Sequence, residues 1–185
     1  VKRYAPDAGG DIKGDRKSNR STDLFLRVEY ADVSLLGGRE ENQDRVAAAV
    51  SEHAALLLVA DGMGGHANGA RAAEVTREIV LDAFAHTPHP LFDPQGFLHL
   101  ILGRAHEEVV KLGAALPLEQ RPRATCALCL VQQGASWWAH VGDSRIYHLR
   151  GGALVGSSAS ASRSPPTIAR ISRSPLTPMM LLMTV

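Results

Sequence analysis

The sequence predicts an α+β fold in which antiparallel sheets are flanked by helices, and three observations support this prediction. Two apolar runs at residues 45–50 and 54–60 are separated by only three residues, which indicates a β-hairpin. Two patterns of helical period follow, at residues 68–85 and 93–113. Further strand-like runs come next, joined by short turns rather than by crossover helices, which favours antiparallel pairing. These runs are residues 124–131, 136–141 and 145–149.

The composition fits one soluble globular domain. Of the 185 residues, 45% are hydrophobic and 21% are charged, which is enough for a sizeable core. The formal net charge of +1 gives no strong field, so we expect neither nucleic acid nor a membrane surface as a partner. No apolar run approaches the roughly 18 residues of a membrane span, and the N-terminus lacks a signal-peptide pattern. We therefore expect a cytoplasmic protein.

The N-terminal part of the chain divides into an arm and a strand. Residues 1–23 are rich in Asp, Lys, Arg, Gly and Ser without an apolar period, so we expect a disordered arm. In residues 24–33, apolar and charged side chains alternate, which predicts a half-buried strand. Residues 54–60 of the following hairpin are apolar throughout, so we expect both faces of that strand to be covered.

Both predicted helices carry end signals. Asn68 is a suitable N-cap for the first helix, whose apolar residues recur at three- and four-residue steps. The second helix has Asp93 as its cap, Pro94 in its first turn and Gly113 at its end. Residues 116–123 contain two prolines, and we predict a loop there.

The chain has two cysteines, Cys126 and Cys129, in one predicted strand. Residues three positions apart in a strand face opposite sides, so the two thiols cannot readily form a disulfide or share a metal. We expect both to be buried packing residues rather than a redox pair.

The composition changes after residue 155. Residues 156–185 are rich in Ser, Arg and Pro, and no acidic residue follows Asp143. They are either a disordered tail that is phosphorylated at its Ser-Pro steps, or an out-of-frame or otherwise replaced terminus. We favour the second interpretation because no pattern here is compatible with continuing the sheet.

Two aspartates mark the open end of the hairpin. Asp44 opens the first strand and Asp61 closes the second, so a tight turn at residues 52–53 places them opposite each other. Opposed residues of an antiparallel pair have Cα atoms roughly 4.5 to 5.5 Å apart, where two like charges repel. A hard cation reverses this effect. Carboxylates, a backbone carbonyl such as that of Gly62, and water are the ligands that Mg²⁺ or Mn²⁺ prefers.

Glycines follow Asp61 closely, since three of the four residues 62–65 are glycine. They allow the backbone to approach an ion or a phosphate without a Cβ in the way, although an ordinary strand-to-helix turn has the same pattern. The sequence Asn42-Gln43-Asp44 one hairpin strand earlier makes the combination far more specific.

Three segments carry a family resemblance: G-G-R-E-E-N-Q-D-R at residues 37–45, V-A-D-G-M-G-G-H at residues 59–66, and V-G-D-S-R at residues 141–145. Together they resemble the metal-dependent protein phosphatases of the 2C type, in their bacterial form. The match lies within residues 24–155, which we interpret as the N-terminal portion of such a domain. The resemblance implies an antiparallel β-sandwich of two stacked sheets with helices outside, and two Mg²⁺ or Mn²⁺ ions at one end.

The resemblance also implies roles for individual residues. Asp61 would bridge both ions, Gly62 would give its carbonyl, and Asp44 would bind one ion. A water that bridges two metals is acidic enough to attack phosphorus in line with the serine or threonine leaving oxygen, without a phosphoenzyme. Arg39 occupies the place of an arginine that holds the substrate phosphate. Asp143 matches an aspartate associated with an additional, weaker metal, but an Asp that simply favours the turn explains it equally well.

Other polar residues near these motifs have weaker interpretations. Some relatives have a histidine, as a candidate general acid, in place of Met63; His66 could replace it, but we favour a packing or hydrogen-bonding role. His86 and His89 resemble a metal pair only by spacing, and we favour a solvated loop. Thr125 matches a small-residue strand start, and we assign it a structural role.

The resemblance is incomplete at the C-terminal side. Family members carry later D-G and D-N motifs whose aspartates complete the two-metal site, and neither occurs here. Two hypotheses follow. The first is a protein-serine/threonine phosphatase that acts on phosphorylated proteins and opposes a cognate Ser/Thr kinase. The alternative is a catalytically inactive, truncated or frameshifted fragment that at most binds metal or phosphoprotein. The three ordered motifs argue against a third class, a β-rich interaction module.

Overall fold

A computed structural model describes residues 2–4, 26, 28–36, 38, 40–63, 68–158, 172–173 and 179–184. The strands are β1 (Lys2–Tyr4), β2 (Val28–Tyr30), β3 (Asp44–Val50), β4 (Ala54–Met63), β5 (Arg123–Ala124), β6 (Cys126–Gln132), β7 (Ala135–Val141), β8 (Arg145–Arg150), β9 (Ala153–Ser157), β10 (Ser172–Arg173) and β11 (Met179–Thr184). The helices are α1 (Asn68–Ala85) and α2 (Pro94–Leu112), and a short 3₁₀ turn follows at Leu118–Gln120.

The strands form antiparallel sheets. The large sheet has the order β10-β7-β6-β4-β3, with β5 beside the end of β4, and the small sheet has the order β11-β8-β9. Strands β1 and β2 form a separate pair. Strand pairing is antiparallel throughout the described part of the chain. The predicted α+β class with antiparallel sheets is therefore confirmed.

The two faces of the large sheet are covered differently. On one face, Leu56 of β4 and Leu128 of β6 pack with Leu98 and Ile101 of α2 in a fully buried cluster. On the other face, Ala127, Cys129 and Trp138 pack against Ile146 of the small sheet. The large sheet thus lies between the helices and the small sheet, and β4 is covered on both sides as predicted.

The helix ends follow the predicted signals. Helix α2 begins at Pro94, and the Asp93 side chain accepts a hydrogen bond of 2.9 Å from the Gly96 N–H at the open end of the helix. Gly113 is its C-cap. These contacts satisfy backbone groups that have no partner inside the helix. Helix α1 covers the predicted residues 68–85.

Both cysteines are buried, as predicted, and they lie on opposite faces of β6. Cys126 belongs to the cluster under the helices and Cys129 to the cluster under the small sheet. Burial without a compensating charge raises the pKa of each thiol to about 12. Both thiols are free.

Three short segments of the predicted disordered arm and tail form paired strands in the described part of the chain. Lys2–Tyr4 pairs with β2, Ser172–Arg173 pairs with β7, and Met179–Thr184 pairs with β8 along its whole length. An exposed strand edge offers main-chain donors and acceptors to any segment that can extend, so composition alone does not decide pairing. Other residues of 1–23 and 159–185 lie outside the described residues.

Two local boundaries also differ from the prediction. Among the described residues of the strand predicted at 24–33, Val28–Tyr30 pairs with β1, and the Leu26 N–H donates to the Glu52 carbonyl at 3.2 Å. The loop predicted at residues 116–123 contains the 3₁₀ turn, and Arg123 already pairs with Met63. None of the described helices has the length and apolar character needed to cross a membrane.

Candidate metal centre

Asp44 and Asp61 lie directly opposite each other in the β3-β4 hairpin, in the register that the sequence predicts. The Asp61 N–H donates to Thr125 Oγ1 (3.1 Å) and its carbonyl accepts from the Thr125 N–H (2.8 Å), so neither group faces Asp44. The adjacent Gly62 N–H instead donates to the Gln43 carbonyl at 3.1 Å. The two aspartates therefore form a non-hydrogen-bonded pair, the arrangement that brings opposed side chains closest, with Cα atoms about 4.5 Å apart.

Strand alternation fixes the face on which the aspartates lie. Leu56 and Leu58 of β4 belong to the cluster under the helices. Asp61 is an odd number of positions from both, so it lies on the face toward the small sheet, and Asp44 shares that face. Neighbouring Arg45 points the other way and reaches α1. Both carboxylates thus stand at one end of the space between the two sheets.

Arg45 ties the first aspartate to α1. Its Nε donates to Glu74 Oε2 at 2.6 Å, and its Nη1 donates to the carbonyls of Asn42 (3.0 Å) and Asp44 (2.9 Å). The Asn42 side chain also accepts from the Asp44 N–H at 2.9 Å. The main chain around Asp44 is therefore held on both sides by side-chain hydrogen bonds.

Glu74 is the anchor of this arrangement, since it also accepts two hydrogen bonds from Arg77, at 2.6 and 3.1 Å. Burial alone would raise the pKa of Glu74, but the hydrogen bonds and charges of Arg77 and Arg45 outweigh it and hold the pKa below the usual value. Glu74 is thus ionised at neutral pH and keeps its hold on Arg45.

Gly62 lies where α1 meets the sheet. A Cβ at this position would stand 2.0 Å from the Gly69 carbonyl oxygen and 2.4 Å from the Gly69 carbonyl carbon. Both are main-chain atoms of the first turn of α1, so they cannot move aside as a flexible side chain can. Residue 62 must therefore be glycine for α1 to begin this close to Asp61.

A hydrogen-bonded chain connects Asp61 to the turn that contains Asp143. Thr125 Oγ1 is shared by the Asp61 N–H and the Ser144 hydroxyl, and Thr125 and Ser144 are both buried. Gly142 has a φ of +92°, and a Cβ there would stand 2.6 Å from the Thr125 Cγ2 atom. The turn is thus packed onto Thr125, which brings the exposed Asp143 to the same end of the sheet as Asp61.

The donor chemistry of this end suits a hard divalent cation. Within the described ranges, no basic side chain forms an ion pair with the Asp44 carboxylate. Two opposed carboxylates are unfavourable by themselves, and oxygen ligands of this kind favour Mg²⁺ or Mn²⁺. The residues that the structure describes contain no group of three His, Cys, Asp or Glu side chains able to hold a metal. Asp44 and Asp61 are the carboxylates that the described residues place directly opposite each other here.

The structure does not describe every predicted residue. Arg39 and His66 lie outside the described residues, as do the glycines at positions 64 and 65. Met63 is 42% exposed at the end of β4.

The two histidines with metal-like spacing have ordinary local partners. The His86 ring contacts Asp82, and the His89 ring packs on Phe84 with ring centroids 4.1 Å apart. The solvated-loop interpretation fits the exposed His86, whereas His89 packs on Phe84 and its Nε2 is buried.

Two supporting residues are not apparent in the sequence. Glu74 lies 29 positions from Arg45, and nothing local distinguishes it from the other charged residues of α1. Ser144 lies inside V-G-D-S-R, so its motif points to it, but its bond with Thr125 spans 19 positions. Both residues act by holding the main chain on either side of the two aspartates.

Comparison with known proteins gives a consistent result. Residues 36–164 match the family model described as protein phosphatase 2C. The serine/threonine protein phosphatase PstP of Mycobacterium tuberculosis is 36% identical over 141 residues, which cover 71% of this chain and 25% of PstP. The chain therefore spans about a quarter of the length of these curated relatives.

Solved structures agree on the fold. A bacterial serine phosphatase variant has a TM-score of 0.60 at 19% identity, over 82% of this chain and 68% of that chain. The M. tuberculosis phosphatase PstP/Ppp has a TM-score of 0.53 at 25% identity, over 82% of this chain and 69% of that chain. The PstP catalytic domain in complex with two manganese ions has a TM-score of 0.56 at 22% identity, over 83% of this chain and 70% of that chain.

Proposed function

The chain belongs to the protein phosphatase 2C family, and from this premise we propose that it carries metal ligands of an active site that hydrolyses phosphoserine and phosphothreonine in proteins. The observation that carries the proposal is the non-hydrogen-bonded pairing of Asp44 with Asp61 at the end of the sandwich. Two carboxylates held this close are unfavourable without a cation and favourable with one.

The proposed metals are Mn²⁺ or Mg²⁺. Asp61 would contact both ions and Asp44 one of them, with the Gly62 carbonyl as a further oxygen donor and Asp143 as a ligand of an additional, weaker ion. Divalent ions in such a site activate water for attack on phosphorus and neutralise the charge that develops on the phosphoryl oxygens.

The chain's own residues would position these groups and bind the substrate. Hydrogen bonds with Thr125 fix the Asp61 main chain, and hydrogen bonds with Arg45 and Asn42 fix the main chain of Asp44. Rigid ligands preserve the geometry on which a metal-assisted reaction depends. Arg39 would hold the substrate phosphate by two parallel N–H bonds, as its planar guanidinium allows. The substrates would be proteins phosphorylated by a Ser/Thr kinase of the same cell.

The test is hydrolysis of p-nitrophenyl phosphate and of a phosphothreonine peptide, with and without Mn²⁺. We expect turnover that needs Mn²⁺ and falls at least about a hundredfold in Asp61→Asn, because a ligand shared by two ions is lost. Asp82→Asn is the matched control, since this exposed carboxylate lies on α1 and pairs only with His86 among the described residues.

Calorimetric titration with Mn²⁺ separates the two hypotheses for the family fold. Turnover that does not depend on Asp61 would refute the phosphatase proposal. Binding of Mn²⁺ that is lost in Asp44→Ala, without any turnover, would support the alternative of a non-catalytic metal-binding protein.

A further inference from the structure

A second site is suggested by a cavity of about 590 Å³ on the helical side of the molecule. It lies between α2, the 3₁₀ turn and strands β5 to β7. One stripe of α2 faces it, made of residues three or four positions apart: His99, Leu102, Gly103, His106, Val109 and Val110. Cavities that bind small molecules in proteins have volumes of about 300 to 1,000 Å³, so this one is large enough for a ligand.

The interior of the cavity is apolar apart from the buried side chains of Thr76 and His140. Its walls include Leu102, Val109, Pro122 and Cys126. At its mouth, Leu118 is 66% exposed and Val110 is 49% exposed, so apolar surface continues outward to the solvent. A concave surface of this kind favours a ligand with an apolar body, because water is displaced from both surfaces on binding.

The charges around the cavity have one sign. Arg121 and Arg123 line it together with His99 and His106, and none of its described lining residues is acidic. Arg121 donates to the Leu116 carbonyl at 3.1 Å. In the part of the chain that the structure describes, neither arginine forms an ion pair. Their positive charges thus remain available to a ligand.

The excess of positive charge is specific to this cavity, because the cleft between α1 and α2, on the other side of α2, has mostly acidic residues. That cleft is lined by Glu78, Asp82, Glu107 and Glu108 around a single Arg104. Helix α2 therefore separates an acidic cleft from a basic, apolar cavity. A ligand with an anionic head is repelled from the first and attracted to the second.

We propose that this cavity binds a small anionic amphiphile, a molecule with an apolar body and one carboxylate or phosphate head. The body lies against the α2 stripe, and the head pairs with Arg121 and Arg123, whose planar guanidinium groups suit either oxyanion. This site is separate from the Asp44-Asp61 pair, and the proposal does not depend on the proposed phosphatase activity.

Calorimetric titration of the full chain tests the proposal with three probes. Decanoate and decyl phosphate are used below their micelle concentrations, and the uncharged decanol is used below its solubility limit. We expect saturable binding with one molecule per chain for at least one of the two anions, and at least about tenfold weaker binding of decanol. The two anionic probes decide which head group the arginines prefer.

Two variants test the location. Gly103 lines the cavity, and apart from the backbone of its own helix no atom lies within 4 Å of where its Cβ would stand. A larger side chain can therefore start from this position without a clash at its first atom, and Gly103→Phe is chosen to fill the cavity. It also replaces a poor helix former, so folding should be preserved. We expect it to weaken anion binding more than tenfold. The double variant Arg121→Gln with Arg123→Gln should weaken anion binding about tenfold and leave decanol unchanged.

Arg104→Gln is the matched control, since Arg104 lies on the opposite side of α2 and should leave all binding unchanged. The proposal is overturned if neither anion binds saturably, if decanol binds as tightly as the anions, or if Gly103→Phe binds them like the parent chain.

Discussion

The Asp44→Asn variant should be more stable than the parent chain when no metal is present. It should be less stable than the parent chain when Mn²⁺ is present. The substitution keeps the size of the side chain and removes one of two opposed negative charges. For two charges about 5 Å apart, the repulsion is about 0.8 kcal/mol in bulk water and about 3 kcal/mol in a protein-like surface environment. Both side chains are half-buried, and like charges directly opposed across strands cost up to about 1 kcal/mol. We therefore expect a gain of about 1 kcal/mol in EDTA.

Manganese should reverse this order. A ligand that binds only the folded chain at a hundred times its Kd stabilises that chain by about 2.7 kcal/mol. Asp44→Asn removes a charged oxygen ligand, so the variant should gain much less at the same Mn²⁺ concentration. The parent chain should then be the more stable of the two by about 1 to 2 kcal/mol.

Urea unfolding followed by tryptophan fluorescence measures both quantities, since Trp137 and Trp138 lie together in β7. Each chain is unfolded once in EDTA and once in Mn²⁺. Asp82→Asn is the control and should change the free energy of unfolding by less than about 0.5 kcal/mol in both buffers. An Asp44→Asn variant that is less stable than the parent in EDTA, or that gains as much from Mn²⁺, would contradict the metal assignment.

Three further predictions concern the support of the site and the core. Glu74→Gln should lower the free energy of unfolding by about 1.5 to 3 kcal/mol at pH 7, because it weakens charged hydrogen bonds with Arg45. The pKa of Glu74 is lowered in the folded chain, so its stabilising effect is complete above pH 4.5 and is lost as the pH falls through the pKa of the folded chain. The difference between variant and parent in urea unfolding should therefore shrink in acid. Thr125→Val should cost about 1 to 3 kcal/mol and weaken Mn²⁺ binding in calorimetry, because the Asp61 N–H loses its acceptor. Cys129, which lies in the cluster under the small sheet with a pKa raised to about 12, should not react with a thiol reagent at pH 8 until urea unfolds the chain.

Matched variants control these experiments. Glu78→Gln removes a carboxylate of α1 that is half exposed and makes one 3.5 Å contact with Arg71, so its cost should be below about 0.5 kcal/mol. Thr87→Val removes a hydroxyl that lies just after α1 and donates to the Ala83 carbonyl, and it should leave Mn²⁺ binding unchanged. Equal effects of Thr125→Val and Thr87→Val on Mn²⁺ affinity would contradict the role assigned to Thr125. Rapid reaction of Cys129 in the native state would contradict its burial.

The sequence predicted those parts of the site that depend on short-range geometry. The opposition of Asp44 and Asp61 follows from a tight turn between two runs of similar length, and the ends of α2 follow from Asp93 and Gly113. These features are encoded within about twenty residues, where turn and capping preferences act directly.

The rest of the structure depends on contacts between distant segments. Glu74 holds the Asp44 loop only because α1 packs over β3, and Ser144 reaches Thr125 only because β6 and β7 pair. The strand Met179–Thr184 forms along the free edge of β8, a feature of another segment that local composition cannot reveal. Propensity is a weak guide wherever tertiary pairing decides the outcome.

The close approach of α1 to Gly62 has an evolutionary consequence. Glycine at this position is demanded by packing, because a Cβ would overlap the Gly69 carbonyl whether or not a metal is bound. The carboxylates beside it are different, since without a metal their mutual repulsion disfavours the fold. Relatives that bind no metal at this position are therefore expected to keep the glycine and to replace Asp44 or Asp61. A relative that has this glycine and a substituted aspartate would therefore keep the fold without the proposed metal site.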